Sequence, residues 1–174
     1  ISDNALTKNF EIVIQLGAIL SVVVLYWRTF LNSFRFYVKL AFAFLPAAIA
    51  GFFLENYIDR LLENVWVVII AILLGGIVLI FVDRWFKHAE GTEEQDISWF
   101  QAIKIGCFQC IAMIPGVSRA AATIIGGMAV GLNRRTAAEF SFFLAVPTML
   151  GASAKKMMDS YKTIQHHDIA ILLL

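Results

Sequence analysis

The chain has 174 residues, 60% of them hydrophobic and only 16% charged, with a net charge of +1. Soluble domains carry about a quarter charged residues, so this balance excludes an ordinary water-soluble domain and points to a membrane protein. A charge so near zero offers no basic stripe for a phosphate backbone, which excludes nucleic acid as a partner.

Phe10 to Trp27 is the first predicted span, apolar but for Glu11, Gln15 and Ser21. Tyr26 and Trp27 close it, where amphipathic rings favour the membrane interface, and Arg28 follows. A short loop with Arg35 and Lys39 leads to a second span over Leu40 to Leu54, containing Pro46 and Gly51, and Glu55 to Glu63 then reads as a solvated connection. Val65 to Val82 carries no charge and comes close to the roughly 20 residues that cross a hydrocarbon core of about 30 Å. Its Gly75-Gly76 pair predicts close approach of a neighbouring helix. Asp83 to Asp96, with Arg84, Lys87, His88, Glu90, Glu93 and Glu94, reads most simply as a surface loop.

After Asp96 the pattern changes. Ser98 to Ile114 is apolar but shorter, and holds Lys104 and Gln109; Pro115-Gly116 stops it. A helix rich in small residues is predicted from Arg119 to about Leu132, only about 20 Å long at the α-helical rise. Neither piece spans comfortably, so the pair predicts a re-entrant helix hairpin or one broken helix. Asn133-Arg134-Arg135 returns the chain to water as an anchor, Phe140 to Ala154 is another span with Pro147 inside it, Lys155-Lys156 close it, and Ser160 to Asp168 is a polar loop. The expected class is therefore all-α, a polytopic membrane helix bundle forming a single integral membrane domain over residues 1–174. The chain begins at Ile1 without a methionine and stops inside the apolar run Ile169 to Leu174, so more of a longer protein is expected on both sides. Glu11 to Leu16 and Glu139 to Leu144 each place a glutamate at the head of an apolar helix with a leucine five residues on, an echo that suggests an inverted-topology repeat whose partner hairpin would precede residue 1. If Arg28 to Lys39 is cytoplasmic, Arg84, Lys87, Arg134 and Arg135 are too, while Lys8, Arg60, Lys155, Lys156 and Lys162 face the other side; the count leans slightly that way.

The break is where chemistry is expected. Ser118 is placed to cap a helix starting at Arg119, whose first amides, Arg119 to about Ala121, lack intrahelical partners and face outward at the positive end of the macrodipole. Such a terminus takes anions. Gly116 leaves room for close backbone approach to a ligand, Arg119 can fork onto phosphate oxygens, and Thr123, four residues on, shares the guanidinium's helix face. Ala120, Ala121 and Ala122 keep that face narrow. An arginine at bilayer depth costs about 2.5–3.5 kcal/mol on insertion scales, so it is expected to serve a purpose there, with the phosphate of a lipid as the favoured ligand. The bland alternative is a plain helix break in which Ser118 only caps and Arg119 snorkels to the interface. Elsewhere, Cys107 and Cys110 have C-x-x-C spacing but no redox-type surroundings and read as packing residues. His166, His167 and Asp168 read as loop residues rather than a metal site, and Glu139 and Glu11 as carboxylates favoured at helix starts.

Phe108-Gln109-Cys110 through Thr123, followed by Glu139-Phe140-Ser141-Phe142 and Leu144-Ala145-Val146-Pro147, resembles the undecaprenyl-diphosphate phosphatase family linked to bacitracin resistance. The likeness is strongest from Gln101 to Ala152, and Phe10 to Trp27 also fits. It implies a multi-pass enzyme of the bacterial inner membrane that removes the terminal phosphate of undecaprenyl diphosphate and so recycles the carrier lipid of wall synthesis. It further implies an inverted repeat with two re-entrant hairpins at one site, a divalent cation (Mg2+ or Ca2+) whose ligands are not in this chain, a polyprenyl diphosphate substrate among membrane lipids, and room for a homodimer. Carried over by motif, Ser118, Arg119 and Thr123 take the catalytic roles, and Gly116, Ser118, Arg119, Ala120, Ala121 and Thr123 line the diphosphate. The family usually has serine where Ala120 stands, which removes one hydroxyl and keeps the amide. Its other motif, a glutamate-rich helix before Ser-Ser-Thr-Gly-His, is expected upstream of Ile1, so the nucleophile and metal ligands are expected there as well. A transporter or flippase for a phosphorylated lipid or anion is the competing expectation, because half-helix amides holding an anion also serve transport.

Overall fold

The computed structural model describes residues 34–89 and 95–161, together with the isolated positions 14, 17, 20, 21, 24, 91 and 93. Among these, the chain forms α1 (Phe34–Leu62), α2 (Val65–Trp85), a 3-10 turn (Lys87–Ala89), α3 (Trp99–Ile111), α4 (Arg119–Ala129) and α5 (Arg134–Tyr161), with no strand. Three segments are long and apolar enough to cross a membrane: Arg35–Leu62, Val65–Trp85 and Arg134–Ala154. The protein is thus an all-helical membrane protein, as its composition predicts.

Of the span predicted over Phe10 to Trp27, only Ile14, Gly17, Leu20, Ser21 and Val24 are described; all are helical and exposed, and the remainder lies outside the described residues. The solvated connection expected over Glu55 to Glu63 is instead the last turns of α1, which runs to Leu62. No glycine or proline interrupts 52–62, so backbone hydrogen bonding carries the helix on through its charged residues. Asn64 then starts α2 by accepting from the Trp66 amide at 3.0 Å. α2 has no buried residue, and neither Gly75 nor Gly76 has anything within 4 Å of the position a Cβ would take. The helix neighbour expected there is absent among the described residues.

α3 and α4 are the predicted re-entrant pair, each shorter than the two sequence segments that announced them. α3 opens with a capping box, in which Ser98 accepts from the Gln101 amide and the Gln101 side chain accepts from the Ser98 amide. α4 ends at Ala129 rather than Leu132 because Gly131, at φ 94°, turns the chain. The Gly131 and Leu132 amides bond back to the Met128 and Gly127 carbonyls, a Schellman closure.

Both ends of this hairpin lie at one end of the molecule. Lys39 near the start of α1 bonds Asp96 at 2.6 Å, and chiefly through that bond holds the Asp96 carboxyl below the usual carboxylate range. Arg134 at the start of α5 pairs with Asp83 late in α2 at 2.8 Å, and Gln101 reaches the Val130 carbonyl at 3.1 Å. The loop after α2 is not a free surface loop. Asn133, 6% exposed, caps α5 by accepting from the Thr136 amide, donates through its side chain to the Glu93 carbonyl, and donates its own backbone N–H to Gln95 Oε1 at 2.7 Å. Expected as part of a basic anchor, Asn133 is a buried tie between that loop and α5.

The core lies just inside this end. Leu40 and Ala43 of α1, Ala102 and Ile105 of α3, Met128 of α4 and Phe140, Phe143 and Leu144 of α5 form one cluster, with Phe36 edge-on to Phe140 and Phe143. Gly106 lets α3 cross α1 with almost no gap, since a Cβ there would sit 2.1 Å from the Ala43 carbonyl oxygen. α4 meets α5 at Gly127 against Ala137 in the same manner.

Candidate functional site

From the core, α3 descends to a turn over residues 112–118, and α4 climbs back. Gly116 at the tip has φ 94° and packs on α2, where a Cβ would meet the Val68 carbonyl oxygen at 2.6 Å; both the backbone angle and the space select glycine. Val68 lies roughly 25 Å along α2 from Trp85 at about 1.5 Å per residue, so the tip reaches most of the way through the helix layer.

Ser118 caps α4 as the sequence predicts, accepting from the Ala121 amide at 3.3 Å. Ala121 is therefore not one of the open amides. Its neighbours are: the Arg119 and Ala120 N–H groups have no hydrogen-bond partner among the described residues, while the Ala122 amide is bonded to the Ser118 carbonyl. Ser118, Ala120 and Gly116 are exposed and Ala121 is half-buried.

Arg119 is half-buried, and its Nη1 donates to the Ser141 carbonyl of α5 at 3.4 Å. Its side chain lines a cavity of about 450 Å³ between α1, α3 and α5. That sets the Arg119 side chain against a half-open cavity, with its bond to Ser141 directing it towards α5. The walls are largely apolar, with Phe44, Phe52 and Met113 among them, and the polar side chains are Glu55, Gln109, Arg119 and Thr148. A volume in the range of small-ligand sites, apolar walls and a few convergent polar groups are the features of a small-molecule pocket.

Thr123 takes a different place from the one its spacing suggests. It is fully buried, donates to the Arg119 carbonyl at 2.9 Å, and shares a short hydrogen bond with the Ser141 hydroxyl. It stands behind Arg119; of the predicted set only Arg119 lines the cavity, and Gly116, Ser118, Ala120, Ala121 and Thr123 do not. Glu139 is not at a helix start; it lies inside α5, where Arg135 one turn earlier donates to it at 3.0 Å. Cys107 is exposed and Cys110 half-buried, with the Cys110 thiol directed to the Gly106 carbonyl. Glu11, His166, His167 and Asp168 lie outside the described residues. Among the described residues no cluster of His, Cys, Asp or Glu has the makings of a metal site.

Glu55, Gln109, Thr148 and Ser141 join the site through packing rather than through any motif in the sequence. Residues 44, 47, 48, 51, 52 and 55 of α1 all face the cavity and repeat at helical spacing. Only Glu55 lies beyond the span predicted over Leu40 to Leu54; the other five are apolar or glycine and look like any lipid-facing or packed helix face. Gln109 was visible as an amide within an apolar helix, and Ser141 sits in the stretch that carried the family resemblance.

The sequence model of the family described as bacitracin resistance protein BacA matches residues 1–174. An undecaprenyl-diphosphatase of Flavobacterium johnsoniae is 56% identical over 172 residues, covering 97% of this chain and 65% of that protein. Proteins of the same name from Bdellovibrio bacteriovorus and Flavobacterium psychrophilum are 49% and 55% identical, covering 100% and 97% of the chain and 67% and 64% of their own lengths. The chain thus spans about two thirds of the length of these relatives.

Proposed function

The chain belongs to the bacitracin resistance protein BacA family, and we propose that it has the activity that its relatives' name, undecaprenyl-diphosphatase, states: hydrolysis of undecaprenyl diphosphate to undecaprenyl phosphate, here in the bacterial inner membrane. The observation that carries this reading is Arg119: a cation brought deep into the helix layer, facing an apolar cavity, beside two unpaired helix amides. Arg119 remains charged, and its planar fork matches phosphate oxygens. The Arg119 and Ala120 amides add donors at the positive end of α4. A polyprenyl diphosphate matches this division, its head on the cation and amides and the first part of its tail against Phe44, Phe52 and Met113.

Hydrolysis needs an oxygen nucleophile at the terminal phosphorus, cleavage of the bridging P–O bond, and release of inorganic phosphate with the lipid monophosphate left behind. Charge grows on the bridging oxygen as that bond breaks. Donors already fixed at that point lower the barrier without rearrangement, which is the role given to Arg119 and the two amides. Thr123 and Ser141 act one step back, holding the first turn of α4 and the carbonyl that receives Arg119. The divalent cation implied by the family likeness finds no ligand set among the described residues, so no step is assigned to it. The nucleophile is likewise assigned to no described residue.

The test is phosphate release by the full-length protein in detergent. Arg119→Ala is expected to lower kcat/KM by about a thousandfold, the scale of losing a transition-state charge donor, with folding retained. Turnover close to wild type would remove Arg119 from the site. Substrate-dependent lipid movement without inorganic phosphate would favour the transport reading instead.

A further inference from the structure

Gln109 is only 2% exposed, yet it lines the cavity that holds Arg119. Its Nε2 lies 3.1 Å from the Thr148 hydroxyl oxygen and its Oε1 lies 3.4 Å from the same atom. A threonine hydroxyl has one proton. That proton goes to the Leu144 carbonyl, at 2.7 Å. Thr148 therefore receives a hydrogen bond from Gln109 and has none to return. The count leaves Gln109 with one N–H that has no partner among the described residues, and with a carbonyl oxygen met only by the long 3.4 Å approach of the Thr148 hydroxyl. A buried amide that uses only one of its two N–H groups has a donor to spare for a further acceptor in the cavity.

We propose that Gln109 is a second head-group residue: its spare N–H donates to a phosphate oxygen of the anion that Arg119 grips, and Thr148 holds the amide so that this N–H faces the cavity. This rests on the phosphatase reading above. A neutral donor also suits the place, because it adds a contact to phosphate without a second buried charge. The contact forms in the bound ground state as well as later, so its loss is expected mainly in KM.

In the full-length protein, Gln109→Leu is expected to raise KM for a polyprenyl diphosphate about tenfold with kcat within about threefold. Gln109→Glu, which has no donor when ionised and repels phosphate, is expected to lose more. Thr148→Val frees the amide but keeps its N–H, so KM should rise only about two- to threefold. Gln109→Met provides a second apolar variant should the leucine protein not fold, with thermal unfolding in detergent as the check on both. Unchanged KM in either folded apolar variant, alongside an inactive Arg119→Ala, would reduce Gln109 to a helix tie and leave the phosphatase reading standing. An active Arg119→Ala would instead bring down the reading on which the proposal rests.

Discussion

Thr123 is fully buried and its hydroxyl is committed to the Arg119 carbonyl and to Ser141, whereas Arg119, one turn earlier, opens into the cavity. Two residues at the same helical spacing thus have different tasks, and they are separable by experiment. Thr123→Val keeps the shape and removes the hydroxyl, leaving Ser141 without its partner at a cost of about 1–3 kcal/mol. The expected result is a thermal midpoint lower by a few degrees, with KM for the polyprenyl diphosphate within about twofold of wild type. A tenfold rise in KM at an unchanged midpoint would put the hydroxyl on the substrate instead. The motif Pro115 to Thr123 made the cap by Ser118 and the turn at Gly116 legible, because both are decided within a few residues. The bond from Thr123 to Ser141 spans 18 residues of sequence and depends on how α4 lies on α5, which no local pattern encodes.

At the scale of helices, the order of elements and the short re-entrant pair were readable from apolar length and from the break at Pro115-Gly116. The ends were less so. Charge suggests loop over Glu55 to Glu63, where α1 continues, and over Asp83 to Asp96, part of which is α2, a 3-10 turn and a segment tied to α5. Charge marks exposure to water and says little about whether the backbone remains helical. Glycines show the same difference between pattern and packing. Gly75-Gly76 has the sequence look of a helix contact and meets nothing, whereas the single Gly106 is where α1 and α3 touch. Gly106→Ala is therefore expected to lower the unfolding midpoint sharply, since its methyl carbon would overlap the Ala43 backbone and the helices must separate. Gly75→Ala in the same measurement should be neutral or stabilising by up to about 1 kcal/mol, from helix propensity alone. Destabilisation by Gly75→Ala would show that another helix, from elsewhere in the protein or from a second copy, packs on α2.

The whole molecule has a basic end. Arg35, Lys39, Arg84, Lys87, Arg134 and Arg135 all lie where α1 begins, α2 ends and α5 begins, and the pairs Lys39–Asp96 and Arg134–Asp83 fix those three helices at the same level. The opposite end has Arg60, Lys155 and Lys156 among the described residues. Short loops rich in arginine and lysine tend to stay in the cytoplasm, so the entrance to the hairpin is expected on that side. The hairpin carries its tip to Val68, three residues from the other end of α2, and the cavity lies along the second half of α1 from Phe44 to Glu55. Its opening is therefore expected in the half of the bilayer away from the basic end. The orientation is testable with single cysteines in the full-length protein after replacing Cys107 and Cys110 by alanine. Glu63→Cys, in the turn between α1 and α2, should react with a membrane-impermeant thiol reagent in intact cells. Lys87→Cys, beyond the other end of α2, should react only after permeabilisation. The reverse labelling would place the cavity in the cytoplasmic half, and Arg119 would then face a lipid head group presented from inside the cell.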